Sequence, residues 1–286
     1  MSVIAGLLGV VACLIIGLVG PGGPIGILMQ PFEFIVIVGI GICSVIVANP
    51  GYICKKLIPK VLSTTKGSGI NKKTYMDLLG LLASLFDTIR KDGVLGIEED
   101  ISSPETSARF AKYPAVLQNH HVMETLIGAL RLFVDGVVNA FDLERLLDTE
   151  IETHHEEESQ YPNAITKLSD AFPGIGIVAA VLGIIITMQF LTEPPEVIGH
   201  HVACALVGTM LGIFLSYGVA GPLATRLEGI IHDNTIILKC VQAGLVSFAG
   251  GAPPVVALEF SRKTIPSEFR PTSQELEALM KDAKKV

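Results

Sequence analysis

The residues able to do chemistry in this chain are few, and their spacing excludes most of it. Gly174-Ile175-Gly176 with Ala179 matches the GxGxxA pattern of a dinucleotide-binding turn, and Glu193 and Glu196 follow near the distance of a ribose-binding acid. That pattern works only between a strand and a helix, where backbone N–H groups meet a pyrophosphate; here it opens an apolar run with no strand before it. The histidine pairs 120/121, 154/155 and 200/201 are sequence neighbours. Neighbours point about 100° apart on a helix, so the two members of a pair make poor joint ligands. His154 and His155 lie beside Glu156, Glu157 and Glu158, a run that reads first as a solvated acidic face. The five cysteines, at 13, 43, 54, 204 and 240, form no CxxC pair, which argues against a zinc ribbon or a disulfide framework. There is no nucleophile elbow, no P-loop and no paired catalytic carboxylates. An enzyme is not expected, nor is a metal site or a cofactor.

What remains is a set of hydroxyls in unusual surroundings. Thr187, Thr209, Ser216 and Tyr217 lie in two apolar runs, Ala171 to Thr192 and Val202 to Thr225, which hold no Asp, Glu, Lys, Arg or His. Proton and ion carriers place such groups inside the membrane despite the free energy this costs. Hydroxyls can line a hydrated path, but near neutral pH they cannot take up and release a proton. If ions cross here, a partner must supply the titrating group. In the second run Cys204, Gly208, Gly212, Ser216 and Ala220 recur every four residues, and the first has a shorter version in Ala179, Gly183 and Thr187. Faces of small side chains let helices approach closely. They could meet spans one and two, a second copy of the chain, or a partner helix.

The elements that carry these residues belong in a membrane. The chain has 286 residues, of which 50% are hydrophobic and 17% charged, with 29 glycines, no tryptophan and a mean hydropathy of +0.56. Disorder is excluded, and 21 Lys+Arg against 28 Asp+Glu disfavour a nucleic-acid partner. Charge-free stretches long enough to cross a bilayer, which takes about 20 helical residues, run from Met1 to Gly20 and from Phe34 to Cys54 as well as through the two runs above. The first has no basic leader and is expected to be a retained span, not a signal peptide. Lys55, Lys56, Lys60, Lys66, Lys72 and Lys73 crowd the exit of span two, while Pro21 to Glu33 carry no base. The positive-inside rule therefore puts that exit, and with it both termini, in the cytoplasm.

The expectation is an all-α integral membrane protein with four transmembrane helices, a large helical cytoplasmic insert between spans two and three, and a helical cytoplasmic C-terminal tail. Residues 1–54 would hold spans one and two, 55–170 the cytoplasmic domain, 171–225 spans three and four, and 226–286 the tail. In the insert, Leu78 to Ile89 repeat at helical spacing and Gly93 closes the segment; a second helical region runs from about His121 to Glu158. After span four the pattern continues to Val241 and stops by Gly250-Gly251, and Thr272 with Glu275 forms a capping box. Pro173 reads as a first-turn proline opening span three. Pro222 falls inside a continuing helix, where it removes a hydrogen bond and should bend the chain.

In this setting the chain resembles the motility protein A family, the flagellar stator subunits within the MotA/TolQ/ExbB class. The resemblance rests on Arg90-Lys91-Asp92-Gly93 with Ile97-Glu98, Phe172 to Ala180, Val207 to Gly212, Gly221-Pro222-Leu223-Ala224-Thr225, and Ala252-Pro253-Pro254 with Glu259-Phe260. It implies a multi-pass protein of the bacterial inner membrane, five copies of which surround two copies of the single-span partner MotB. The MotB aspartate would bind the moving ion. Arg90 and Glu98 would engage the rotor protein FliG, and Pro173 and Pro222 would couple ion flow to movement. Sodium-driven relatives have a threonine where this chain has Ala180, so the resemblance implies protons; Thr209 matches a channel-facing hydroxyl. With Thr187 and Tyr217 these make the candidate channel lining. A basic residue often follows the matching glutamate in the family, whereas here Glu99 and Asp100 follow, a stronger acidic patch. The alternative within the class is an ExbB- or TolQ-type proton-driven energiser of an envelope complex; the alternative outside it is a membrane scaffold without ion coupling.

Overall fold

The computed structural model describes residues 2–283; Met1 of the expected first span, and Lys284, Lys285 and Val286 of the expected tail, lie outside the described residues. Those described residues are helical and contain no strand. The helices are α1 (Ser2–Val19), α2 (Pro31–Ala48), α3 (Gly51–Ser63), α4 (Lys72–Asp92), α5 (Glu98–Ser102), α6 (Ala108–Ala111), α7 (Pro114–Leu117), α8 (His120–Val134), α9 (Ala140–Thr187), α10 (Pro195–Ile213), α11 (Gly221–Ala249), α12 (Pro254–Thr264) and α13 (Ser273–Ala283). A π-helical segment, Phe214–Ala220, joins α10 to α11. Among the described residues, four helical stretches are long and apolar enough to cross a membrane: Ser2–Val19, Ile25–Ala48, Ala140–Phe190 and Pro195–Ala249.

The chain divides into two compact units, and the division falls within α9 and α11. The first unit, Met1–Gly67 and Glu158–Ile230, holds the apolar helices. No residue of α1 is buried, and Leu8, Ile16, Phe32, Ile35 and Val47 are among many large apolar side chains left exposed. Exposed apolar area on this scale marks a surface made for lipid or for other helices. Inside the unit, Gly41 of α2 leaves room for Phe172 of α9, since a Cβ on Gly41 would lie 2.9 Å from that ring.

The second unit, Ser68–Glu157 and Ile231–Val286, has an ordinary hydrophobic core. At its centre is α4, whose Leu78, Leu79, Leu81, Leu82, Leu85 and Phe86 are all 0% exposed. The helix starts at a reciprocal capping box, with Asn71 Oδ1 accepting from the Lys73 and Thr74 amides while Thr74 Oγ1 accepts from the Asn71 amide. It ends at Gly93, whose φ of +78° a side chain would resist. Phe86 stacks on Phe248 of α11 at 4.2 Å between ring centroids, and truncating such a residue to alanine costs about 3–5 kcal/mol.

Several expected boundaries move. The second apolar run ends at Ala48 and not at Cys54, because Pro50 cannot continue the helix and α3 begins anew after it. The region from His121 to Glu158 is two helices separated at Asp135-Gly136, with Gly136 at φ +67°. Pro173 does not open a helix: α9 begins at Ala140, so both Pro162 and Pro173 lie in its interior. Pro222 is the second residue of α11, and the irregularity before it is a π-helical turn in which the Gly221 amide bonds the Ser216 carbonyl. A widened turn leaves the next residue without a required donor, which suits a proline.

Candidate functional site

The small-residue faces of α9 and α10 meet each other, a pairing that the sequence pattern alone does not specify. A Cβ on Gly176 would lie 2.8 Å from the Gly208 carbonyl oxygen and 3.0 Å from Gly212 Cα; one on Gly212 would lie 2.5 Å from the Phe172 carbonyl oxygen. A Cβ on Gly183 would lie 2.7 Å from that of Ala205. Backbone therefore rests on backbone, which only glycine and alanine allow. At the end of this contact, Pro173 withholds the amide that would have bonded the Ser169 carbonyl in a regular helix. The Ser169 hydroxyl, itself buried, donates to the Ser216 carbonyl at 3.0 Å and lies 3.3 Å from Ser216 Oγ. One serine pair thus ties the interrupted stretch of α9 to the π-helical turn preceding Pro222.

The candidate lining residues fall in different environments. Ala180 is buried in the α9–α10 contact, its amide 3.1 Å from where a Gly208 Cβ would sit. Thr187 is also buried and donates to the Gly183 carbonyl of its own helix at 2.8 Å. Thr209 is half-buried, whereas Tyr217 is 76% exposed and shares with Pro222, Arg226 and the start of α1 a groove of about 330 Å³. One functional candidate escapes the sequence reading. Glu33 stands in the first turn of α2, inside the second apolar stretch, and its carboxylate faces Gly183 and Gly208: Cβ atoms there would lie 3.6 Å from Oε1 and 3.2 Å from Oε2. Glu33 Oε2 is out of solvent and has no hydrogen-bond partner. A count of charge-free residues begins one position later and so leaves Glu33 in a loop; the signal that could have found it is Pro31, a favoured first-turn residue.

In the second unit, Arg90 is exposed in the last turn of α4 and Glu98 is exposed at the first position of α5. Arg90 and Lys91 line a cavity of about 440 Å³ with Pro253, Pro254 and Met280, and Lys91 pairs with Asp87 at 2.6 Å. The acidic patch is smaller than its sequence. Asp100 turns inward, accepting from Arg109 Nε at 2.8 Å and from the Ser107 hydroxyl at 2.5 Å. The same guanidinium donates to the Ser84 carbonyl and hydroxyl and to Thr88 Oγ1 of α4. Asp100 thus fastens α5 to α4, leaving Glu98 and Glu99 to face outward. Further along, the Arg262 guanidinium forks onto both carboxylate oxygens of Glu259, at 2.7 and 2.6 Å, and holds that carboxyl below the usual glutamate range. Arg262 also donates to the Pro271 carbonyl, pinning the segment that leads to α13.

Known proteins share both the sequence and the fold. Residues 4–93 match the family model "Motility protein A N-terminal" and residues 116–239 match "MotA/TolQ/ExbB proton channel family". Proteins named motility protein A from Salmonella typhimurium and Escherichia coli are each 38% identical to this chain over 277 residues, covering 97% of it and 94% of their own length. Chemotaxis protein LafT of Vibrio parahaemolyticus is 35% identical, with 97% of each chain covered. Among solved structures, MotAB of C. jejuni aligns with a TM-score of 0.79 at 19% identity, covering 93% of this chain and 96% of that one. The flagellar MotAB stator complex of Bacillus subtilis aligns with a TM-score of 0.76 at 22% identity, with the same coverage. At these identities the two structures speak to the fold.

Proposed function

The chain belongs to the motility protein A family of MotA/TolQ/ExbB proton channel proteins, and from that premise we propose how its residues serve the work of a stator. It is a non-enzymatic subunit of the flagellar motor stator, a multi-pass membrane protein that forms with MotB a proton channel and converts ion flow into torque. The observation that carries this reading is agreement with motility protein A relatives along nearly the whole chain. The ExbB- or TolQ-type alternative has no comparable support.

The finer reading is ours. The chain sits in the bacterial inner membrane with both termini cytoplasmic, and five copies surround two of MotB. The apolar stretches within residues 171–192 and 202–225 bring hydroxyls and no Asp, Glu, Lys, Arg or His, so the proton-binding carboxylate belongs to the partner. Ala180, Thr187, Thr209 and Tyr217, with Glu33 at one end of its span, make up this chain's contribution to the path. Protonation of the partner's aspartate alters its packing against α9 and α10. The Ser169–Ser216 contact between Pro173 and the turn before Pro222 is where that change is felt. Arg90 and Glu98 then act on FliG.

The test is a strain lacking this chain, complemented with wild type or with Arg90→Glu combined with Glu98→Lys. Exposed charge pairs are individually worth up to about 1 kcal/mol, so each single change should reduce swimming speed and the pair should reduce it further. Normal swimming with both changes, at normal protein level, would sink the rotor-contact assignment.

A further inference from the structure

Histidines that are poor joint ligands as sequence neighbours meet across helices. His120 and His121 begin α8, and one ring nitrogen of each and a carboxylate oxygen of Glu124 all lie within 4.8 Å of one another; His120 Nδ1 is 3.5 Å from Glu124 Oε2. From α9, the His154 ring stands 4.3 Å from that of His121, centroid to centroid, at 63°. Both ring nitrogens of His154 are shut off from solvent and have no hydrogen-bond partner, although a neutral imidazole carries a donor and an acceptor. His121, Glu124, Glu150, His154 and Glu157 line one cavity of about 760 Å³. Two ring nitrogens out of solvent with nothing to bond, on a cavity wall that also carries a second imidazole and carboxylates, make a candidate ligand set.

We propose that His120, His121 and Glu124 of α8 and His154 of α9 form a site for a divalent transition metal, with Zn²⁺ the natural occupant. Imidazole nitrogens with one carboxylate suit zinc and its neighbours, not calcium or magnesium, which take oxygen. Around a tetrahedral ion with bonds of about 2.0–2.1 Å, ligand atoms lie roughly 3.4 Å apart, and the α8 ligand atoms already lie within 4.8 Å of one another, with His120 Nδ1 and Glu124 Oε2 at 3.5 Å. Glu124 offsets the charge of the ion, and Glu157 lies on the same cavity wall to do so further. Thr125 Oγ1 already donates to Glu150 Oε1 between the same two helices, at 2.6 Å, so the ion would add a second clasp where one exists.

The experiment uses the full chain purified with its membrane partner, stripped with chelator and dialysed against zinc chloride, followed by metal counting and by the visible spectrum after cobalt substitution. Wild type should retain about one ion per chain and give the intense bands of tetrahedral cobalt. His121→Gln and Glu124→Gln change exposed residues, and with His154→Gln they should each weaken binding by about tenfold or more, since even outer-shell partners of a metal cost that much. His155→Gln is the control: its Nδ1 is engaged by Thr235 Oγ1 at 3.0 Å, and binding should stay as in wild type. Absence of stoichiometric zinc in wild type, or retention unchanged by His121→Gln and Glu124→Gln, overturns the assignment. So does equal loss in His155→Gln.

Discussion

Glu98 and Asp100 sit two residues apart in the same short helix and do opposite work. Asp100 is engaged by Arg109 and Ser107, with the side chains of Arg109 and Asp100 16% and 21% exposed, whereas Glu98 faces solvent. Asp100→Asn should therefore lower the thermal stability of the purified complex by on the order of 1–3 kcal/mol, because Arg109 is left partly buried without its counter-charge. Glu98→Gln should leave the melting curve within about 0.5 kcal/mol and show itself in swimming speed alone. Identical melting for wild type and Asp100→Asn would remove Asp100 from the anchor. Arg262 and Glu259 give a second contrast, this time in pH. The folded carboxyl of Glu259 titrates below its ordinary 4.5, chiefly because Arg262 hydrogen-bonds it. Its stabilisation is thus full at neutral pH and fades only as pH falls past the ordinary value toward the lowered one. The gap in melting temperature between wild type and Glu259→Gln should be constant down to about pH 5 and close below it; a gap that ignores pH would mean that the fork contributes nothing electrostatic.

At the scale of elements, the α9–α10 contact is the feature whose failure is easiest to provoke. Gly212→Ala sets a methyl 2.5 Å from the Phe172 carbonyl oxygen, backbone against backbone, where no rotamer gives relief. The two helices must separate, and we expect lost motility with a lowered melting temperature in detergent. Gly174, in the same helix as Gly176, has nothing within 4 Å of its would-be Cβ. Gly174→Ala should fold as wild type does. If that variant folds normally but does not swim, its face is one that a partner or second copy covers; if it melts early, α9 and α10 do not pack along the Gly176 face alone. Much of this is legible in the sequence: the four-residue rhythm of Gly208, Gly212 and Ser216 announces a close-packed face. What that face meets is not legible, because a face of small side chains is complementary to any other such face, and periodicity carries no address. Helix ends resist reading for a related reason. Pro173 looks like a first-turn proline after Asp170 because local pattern cannot reveal that α9 begins at Ala140, and the π-helical turn before Pro222 has no sequence signal beyond the proline it accommodates.

For the molecule as a whole, the order of apolar runs and charged insert makes the class readable, since span length and lysine placement follow from bilayer thickness and insertion energetics, not from fine packing. The acidic residue that a count of charge-free spans leaves out sets up a prediction for ion flow. Glu33 is the sole Asp, Glu, Lys or Arg within residues 2–19, 31–48, 171–192 and 202–225, and it stands in the first turn of α2, at one end of its span. A single carboxylate at one end cannot relay a proton across about 30 Å of hydrocarbon, and the hydroxyls beyond it do not exchange protons at neutral pH. The chain reconstituted by itself in vesicles should therefore hold an imposed pH gradient as well as empty vesicles do, and Glu33→Gln should change nothing in that assay. Reconstituted with its partner, the chain should dissipate the gradient, and there Glu33→Gln should slow the flux, because the partner's carboxylate supplies the step that Glu33 alone cannot complete. Rapid collapse of the gradient by the chain alone would show that this polypeptide contains its own path, and would displace the division of labour between the two subunits.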